Sequence, residues 1–558
     1  MTQFSRRTFL KHLALASGAS WLTSSLLGCS SPTAAPTNRT PIEFLHGVAS
    51  GDPQQNRLLF WTRVSPAQPL GGVQLLLEVS TSADMRQLVH TELVLAKADN
   101  DYCIKVDLSG LSPATDYYYR FRDQQHSSAV GHGRTLPAQR PEAVRLAVLS
   151  CSNYPAGYFH AYREVATQPL DVVLHLGDYL YEYAMGEYGT EQASALGREL
   201  AADNSKEMLS LTDYRKRYSL YRTDADLQAA HQAHSFICVW DDHEITNDAW
   251  TDGAENHQPE EGSYQSRKLA ALRAYYEWMP VRPLVVNQQQ SLARRFDFAD
   301  LLSLCMLDTR IEGRMQQLDY ASFSTKESGL DFSAFRQALN APQRTLLGQS
   351  QQEWLLSQLL SAKATYRVLG QQVLMAKMWL PAPALAALGK PGPELASQLH
   401  QMAQQAKTAA SPADTLPYNL DAWDGYPAER ELIYQAALKS GQPLVVLAGD
   451  THNAWASSLH SGNGQPVGIE LATASVTSSG IEDYLQLGPT ELRQLEQDLV
   501  GLIDELDWCN LQQRGYLLLN FTSSQLTAQW FGLSSVKTRQ YQSLLLNEMK
   551  FSPALTKL

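Results

Sequence analysis

Cysteine is scarce in this chain, with six residues in 558. Basic charge is in deficit, since 45 Lys and Arg stand against 57 Asp and Glu, for a net charge of -12. Past the first thirty residues no apolar run is long enough to span a bilayer. Each shortage excludes something. Cys103, Cys151, Cys238, Cys305 and Cys509 are widely spaced and odd in number once Cys29 is set aside, so they do not form a disulfide framework. A negative field argues against general binding of nucleic-acid backbones, which needs a basic stripe, and no sequence-specific nucleic-acid partner is expected. An anionic substrate would have to be held by local cations or by metal. The remaining composition, 44% hydrophobic and 18% charged, is that of an ordinary globular protein with room for two or three domains.

The N-terminus reads as an address. "SRRTFLK" at Ser5–Lys11 looks like a twin-arginine export signal, and "LLGC" ending at Cys29 resembles a bacterial lipoprotein box. The expectation is a signal peptide over 1–28, a lipidated Cys29, and a Ser-Pro-Thr-Ala-rich tether over 29–40. The alternative is a signal in which Cys29 is incidental. The export machinery would be a partner, the membrane would be touched only through that anchor, and the protein would work as a monomer in the periplasm or on the outer cell surface. The twin-arginine pathway carries folded proteins, commonly with a cofactor already inserted.

Residues 41–140 carry short β-rich runs, "RLLFWTRV", "VQLLLEVS", "YCIKVDLSG" and "DYYYRFRD", separated by turn residues. Alternation such as Val73-Leu75-Leu77-Val79 predicts a small β-sandwich. From 141 the texture changes. "VRLAVLS", "DVVLHLGD", "SFICVWDDHE", "LLSLCMLDTR", "YRVLGQQVLMA" and "PLVVLAGDTH" alternate with helix-like segments such as 263–280 and 350–362. Near-continuous apolar strands between helices predict an α/β domain, here 141–540, with sheet faces covered. Residues 384–416 read as an insertion or lid-like excursion, and 541–558 as a C-terminal tail.

Polar clusters collect where these strands end. Cys151 follows "VLS"; Asp178, Tyr179 and Tyr181 follow "LHLG"; Asp241, Asp242, His243 and Glu244 follow "CVW"; Asp450, His452 and Asn453 follow "LAG". Ligands of open α/β sheets bind beyond the strand C-termini, so this is a metal-site constellation. Asp450 and His452, two apart, point the same way in an extended segment. Gly177 and Gly449 allow the backbone to turn closely beneath an ion. A carboxylate shared between two cations holds them ~3.5–4 Å apart to act on a phosphoryl group. Cys151 itself could be a core hydrophobe, half of a disulfide, a nucleophile or a ligand.

The set "HGVASGDP", "LLFWTRV", "SCSNYP", "LGDYLYEY", "VWDDHEITND", "LDTR", "GQQVLMA", "LDAWDGYPAER" and "LAGDTHNAW" resembles the PhoD-type alkaline phosphatases, in order over nearly the whole mature chain. The resemblance implies a β-sandwich followed by a calcineurin-like, four-layer αββα metallophosphatase domain. It also implies iron(III) and calcium, and hydrolysis of phosphomonoesters and phosphodiesters by a metal-bound hydroxide without a phosphoenzyme. By the same correspondence Asp178 bridges the metals, Cys151, Tyr181 and His452 bind iron, Asp242 and Asp450 bind calcium, and His243 is catalytic. Oxygen donors at Asp242 and Asp450, where relatives have nitrogen, suit calcium. Asn153, Asp241, Gln371 and Gln372 are further candidate calcium ligands.

Other residues have plainer readings. His175 is expected to be a hydrogen-bonded core histidine, His160 and His231 ordinary helix residues, and Cys238 and Cys305 core fillers. Asp308 and Arg310 form a structural ion pair or meet phosphate; Trp423 and Tyr426 line a pocket or pack a turn. Two rival functions stay open: phospholipase D-type cleavage of phosphodiesters by the same site, and a non-catalytic surface-binding lipoprotein.

Overall fold

Six apolar runs form two parallel triplets. Ala143–Leu149, Val172–His175 and Ser235–Cys238 lie side by side, Leu146 opposite Val172 and Val173 opposite Phe236. Leu302–Met306, Tyr366–Gly370 and Leu444–Ala448 repeat the arrangement, Leu304 opposite Val368 and Val368 opposite Val445. Five of the six are buried at every position, which is why their sequences show no alternation. The structure, a computed structural model, describes residues 35–555 except 39, 283, 287–288, 326–328, 390–393, 407–414 and 486, without the side chains of 284–286, 289–290 and 406. Cys29, the signal segment and most of the tether therefore lie outside the described residues.

The first triplet sits inside a nine-stranded sheet and the second inside a seven-stranded one. Their inner faces share one core, in which Leu146 and Leu517 of the first join Leu304 and Val445 of the second. Hydrogen bonds also tie the two sheets together. Thr473 Oγ1 donates to the Val148 carbonyl (3.1 Å), and Trp530 Nε1 to that of Ala472 (2.9 Å). Helices Leu211–Tyr221, Ala225–Ala233 and Tyr264–Trp278 add Tyr214, Leu227 and Tyr275 to that core. Gly348–Ser361, Pro427–Ser440 and Pro489–Leu502 cover the seven-stranded sheet through a second core that includes Leu355, Ile433 and Leu495. The result is the four-layer αββα arrangement. Local chemistry agrees with it: Ser210 and Asp213 cap Leu211–Tyr221 reciprocally, and Pro427 opens a helix that Gly441 closes at φ 71°.

The N-terminal runs also form strands. Val73, Leu75, Leu77 and Val79 of Gly72–Ser80 are fully buried against Val48, Leu58, Phe60 and Ile104, so the alternation marks a sandwich core. One face of this sandwich is a separate four-stranded sheet; the other is not separate. Val48–Gln54 pairs in parallel with Ser235–Cys238, Ser50 opposite Ser235, so the nine-stranded sheet runs from the phosphatase layers into the N-terminal region. A strand edge left open in one part is closed by the other.

Two segments differ from expectation. Most of the segment read as a tail is sheet: Ser543–Phe551 pairs antiparallel with Leu526–Leu533 and forms an outer strand of the nine-stranded sheet, and 556–558 lie outside the described residues. Its exposed Leu544 and Leu545 break the alternation that would have marked it. The excursion at 384–416 overlaps helix Ala382–Leu388 and contains helix Leu395–Ala406. The second docks on Pro489–Leu502, burying Leu395, Leu399 and Ala403, and His400 Nδ1 lies 3.0 Å from Asp498. In its described part it is packed structure.

Candidate metal centre

Both triplets end at one cluster of polar side chains. The first delivers Cys151, Asp178, Tyr181, Asp241, Asp242 and His243; the second delivers Arg310, Gln371, Gln372, Asp450 and His452. Three donor groups converge there: Cys151 with Asp178 and His452, Asp178 with Asp242 and His243, and Asp241 with Asp242 and Asp450. In each group the donor atoms lie within 4.8 Å of one another. Asp178 and Asp242 each belong to two groups, as residues between two ions would. The Tyr181 hydroxyl joins the first group, donating to Asp178 Oδ2 at 2.9 Å and lying 3.1 Å from His452 Nε2.

The backbone is bent to make this meeting possible. Cys151, Asp178, Asp450 and His452 all take left-handed φ values, 60°, 54°, 62° and 62°. Outside glycine each such residue costs on the order of 1–3 kcal/mol, and such strain gathers at functional sites. The neighbouring glycines are there for space. A Cβ on Gly177 would lie 2.4 Å from that of Asp241, and one on Gly449 would lie 2.8 Å from that of Ser150.

The charges are buried and short of compensation. Cys151 is fully buried, and burial followed by the Asp178 carboxylate pushes its thiol pKa well above the ordinary value. Burial, Asp178 and Cys151 do the same to Tyr181. Burial pushes Asp241 far up and Asp450 up to about 7. Asp178 Oδ1 and Asp241 Oδ2 are buried with no hydrogen-bond partner among the described residues. Packed oxygen donors, a thiol, a phenol and an imidazole, with partnerless carboxylate oxygens between them, are a donor set that fits cations.

His243 is held differently. Its Nδ1 lies 2.7 Å from Glu182 Oε2, and Glu182 is fixed by Thr246 Oγ1, the Asn247 amide and Asn256 Nδ2 at 3.2, 2.8 and 2.9 Å. Burial alone would lower the His243 pKa; the charges of Asp242, Glu182 and Asp178 outweigh it and hold the ring protonated well above its ordinary value. Glu244 accepts the amides of Asp178, Tyr179 and Asp241, and so ties two strand ends together.

The open candidates separate. Asp241 lies in the acidic group, and Asn153 is buried with neither amide atom partnered among the described residues. Gln371 and Gln372 are spent on structure: Gln371 accepts from Trp423 Nε1 (3.1 Å), and Gln372 accepts from Thr309 Oγ1 (2.6 Å) while donating to the Trp240 and Leu307 carbonyls. Asp308 does not pair with Arg310; it caps the Arg310 and Ile311 amides at 2.9 and 2.8 Å. Trp423 and Tyr426 pack turns, the latter donating to the Met315 carbonyl. His175 is a core residue beside the Tyr162 hydroxyl (2.8 Å), and His231 is buried against that of Tyr179 (2.9 Å). Sequence reasoning missed Glu182, Tyr188 and Ser478. Tyr188 lies 3.2 Å from His452 Nδ1, and Ser478 donates to the Tyr181 hydroxyl at 2.7 Å.

Residues 28–137 match the PhoD-like phosphatase N-terminal domain, and residues 146–530 match the PhoD-like phosphatase family. The chain belongs to that family. Over 499 residues it is 35% identical to alkaline phosphatase D of Bacillus subtilis (strain 168), an overlap covering 86% of this chain and 77% of the relative. A solved structure of PhoD superposes with a TM-score of 0.74 at 29% identity, covering 93% of this chain and 92% of the other. Family membership makes the chain a phosphoric ester hydrolase that acts on phosphate esters.

Proposed function

We propose that this chain is an exported, metal-dependent phosphatase that hydrolyses phosphomonoesters and phosphodiesters with iron(III) and calcium. The observation that carries the reading is the overlap of three donor groups through Asp178 and Asp242. Cys151, Tyr181 and His452, soft or anionic donors around one edge of Asp178, would hold iron; Asp242 and Asp450, joined by Asp241, would hold calcium. When bound, the two cations supply Lewis acidity toward the phosphoryl oxygens and an activated water nucleophile at ordinary pH. The protein's own part is to place and to protonate. His243, kept cationic by Asp242, Glu182 and Asp178, donates a hydrogen bond or its proton to the leaving oxygen, where charge develops in an in-line displacement. The glutamate cradle fixes the ring so that no reorientation is needed.

Calcium dependence tests the cation assignment. A calcium-selective chelator is expected to suppress hydrolysis of an aryl phosphate, and added calcium to restore it more fully than zinc does. Full activity in metal-depleted protein given zinc alone would reverse the assignment of the acidic group. Rates on a monoester, a simple diester and a phospholipid, taken on the same preparation, fix the balance of substrates.

Export through the twin-arginine pathway and anchoring through Cys29 complete the proposal. No helix among the described residues is long and apolar enough to cross a membrane. Arg6→Lys with Arg7→Lys is expected to leave precursor in the cytoplasm. Cys29→Ala is expected to give an active enzyme that is unanchored or uncleaved. Fractionation showing undiminished export of the double-lysine variant rejects the first; failure of labelled fatty acid to enter the wild type rejects the second.

A further inference from the structure

The acidic side of the centre has a guanidinium built into it. The Arg310 side chain is completely buried. Its Nε donates to Asp241 Oδ1, and its Nη2 donates to Asp450 Oδ1 at 3.2 Å while lying 3.9 Å from Asp242 Oδ1. Its Nη1 donates to Asp421 Oδ1 at 2.8 Å. The same Asp421 oxygen is held by Arg314, which is itself completely buried and also donates to the Asp421 and Thr309 carbonyls. Each nitrogen of the Arg310 fork thus donates to a carboxylate of this cluster. Asp241 presents the complementary picture: Oδ1 is held by Arg310, and Oδ2 is buried without a partner among the described residues.

We propose that Arg310 is the positioning residue of the second cation site, holding one oxygen of Asp241 and of Asp450 so that the other faces the cation, with Asp421 and Arg314 aiming the guanidinium. The inference rests on the assignment of that site to Asp241, Asp242 and Asp450. A planar fork that spans two carboxylates fixes their rotation, as an ammonium on a flexible stem cannot. Groups that orient metal ligands in this way typically govern metal affinity by about 10–100-fold. Charge alone makes the opposite demand. A guanidinium beside a cation repels it, so if Arg310 did no more than neutralise charge, its removal would tighten calcium binding.

The test is calorimetric titration of calcium chloride into chelator-treated protein that retains its iron, for the wild type, Arg310→Gln and Arg310→Lys. Calcium is expected to bind about 10–100-fold more weakly to Arg310→Gln and at an intermediate level to Arg310→Lys. The visible absorption of the iron site should stay unchanged in both, which separates loss of positioning from loss of fold. Should Arg310→Gln fail to fold, the lysine variant carries the comparison alone. Equal or tighter calcium binding in the variants overturns the inference while leaving the cation assignment standing. A wild-type protein that binds no calcium overturns the assignment, and the inference with it.

Discussion

Cys151→Ser is expected to lose its iron, its colour and nearly all of its turnover. The thiol lies with Asp178 and His452 inside one donor group, next to the Tyr181 hydroxyl, on a backbone held at φ 60°. Burial and its anionic neighbours disfavour the free thiolate, so a cation is what would make the thiolate form stable there. Serine keeps the size but is a poor anionic donor, and the lost Lewis acidity, several kcal/mol, corresponds to a fall in kcat of about 10³-fold or more. A thiolate or phenolate on iron(III) should show a broad visible band, and that band should fade with the substitution. Cys238→Ser and Cys305→Ser are the controls. Both cysteines lie inside buried strands, where an unpartnered hydroxyl costs about 1–3 kcal/mol of stability and should leave iron content untouched. A Cys151→Ser protein that retained iron, colour and rate would reduce the cysteine to packing.

His243→Ala is expected to lower kcat by about 10²–10⁴-fold on an alkyl phosphate, with a much smaller loss on an aryl phosphate whose leaving group needs no proton. Glu182→Gln should follow in the same direction at smaller size, because Glu182 reaches the reaction through the ring 2.7 Å away. The pH profile separates them. Glu182 helps to raise the His243 pKa, so its neutral replacement lowers that pKa and moves the alkaline loss of activity to lower pH. Equal losses on both leaving groups would place His243 in substrate binding and not at the leaving oxygen.

Much of this was legible from the chain because strand ends are abrupt. "VLSCS", "LHLGD" and "VLAGD" pass from buried apolar residues to polar ones within two positions, and a parallel sheet puts all such transitions at one end. Partners contributed from far along the chain were not legible. Ser478 reaches Tyr181 across 297 residues, and Asp421 reaches Arg310 across 111, distances over which spacing carries no signal. Asp308 and Arg310, two apart in "LDTR", read equally as an ion pair or a phosphate contact; the turn that Asp308 caps points them at different partners. The division at residue 140 into sandwich and phosphatase reflected a true change of texture. It could not reveal that Val48–Gln54 is the neighbour of Ser235–Cys238, since a strand's own sequence does not name the strand beside it.

The nine-stranded sheet draws on both extremes of the chain. Ala143–Leu149, which leads into Cys151, has Val172–His175 on one side and Arg514–Thr522 on the other. Until some 520 residues have left the ribosome, this strand has an open edge. That exposed edge is expected to be a point at which aggregation competes with folding. Long-range closure of this kind is slow, so folding of the sheet is expected to lag behind completion of the chain. Low temperature or a slowed elongation rate should change the yield of soluble protein more than its final stability.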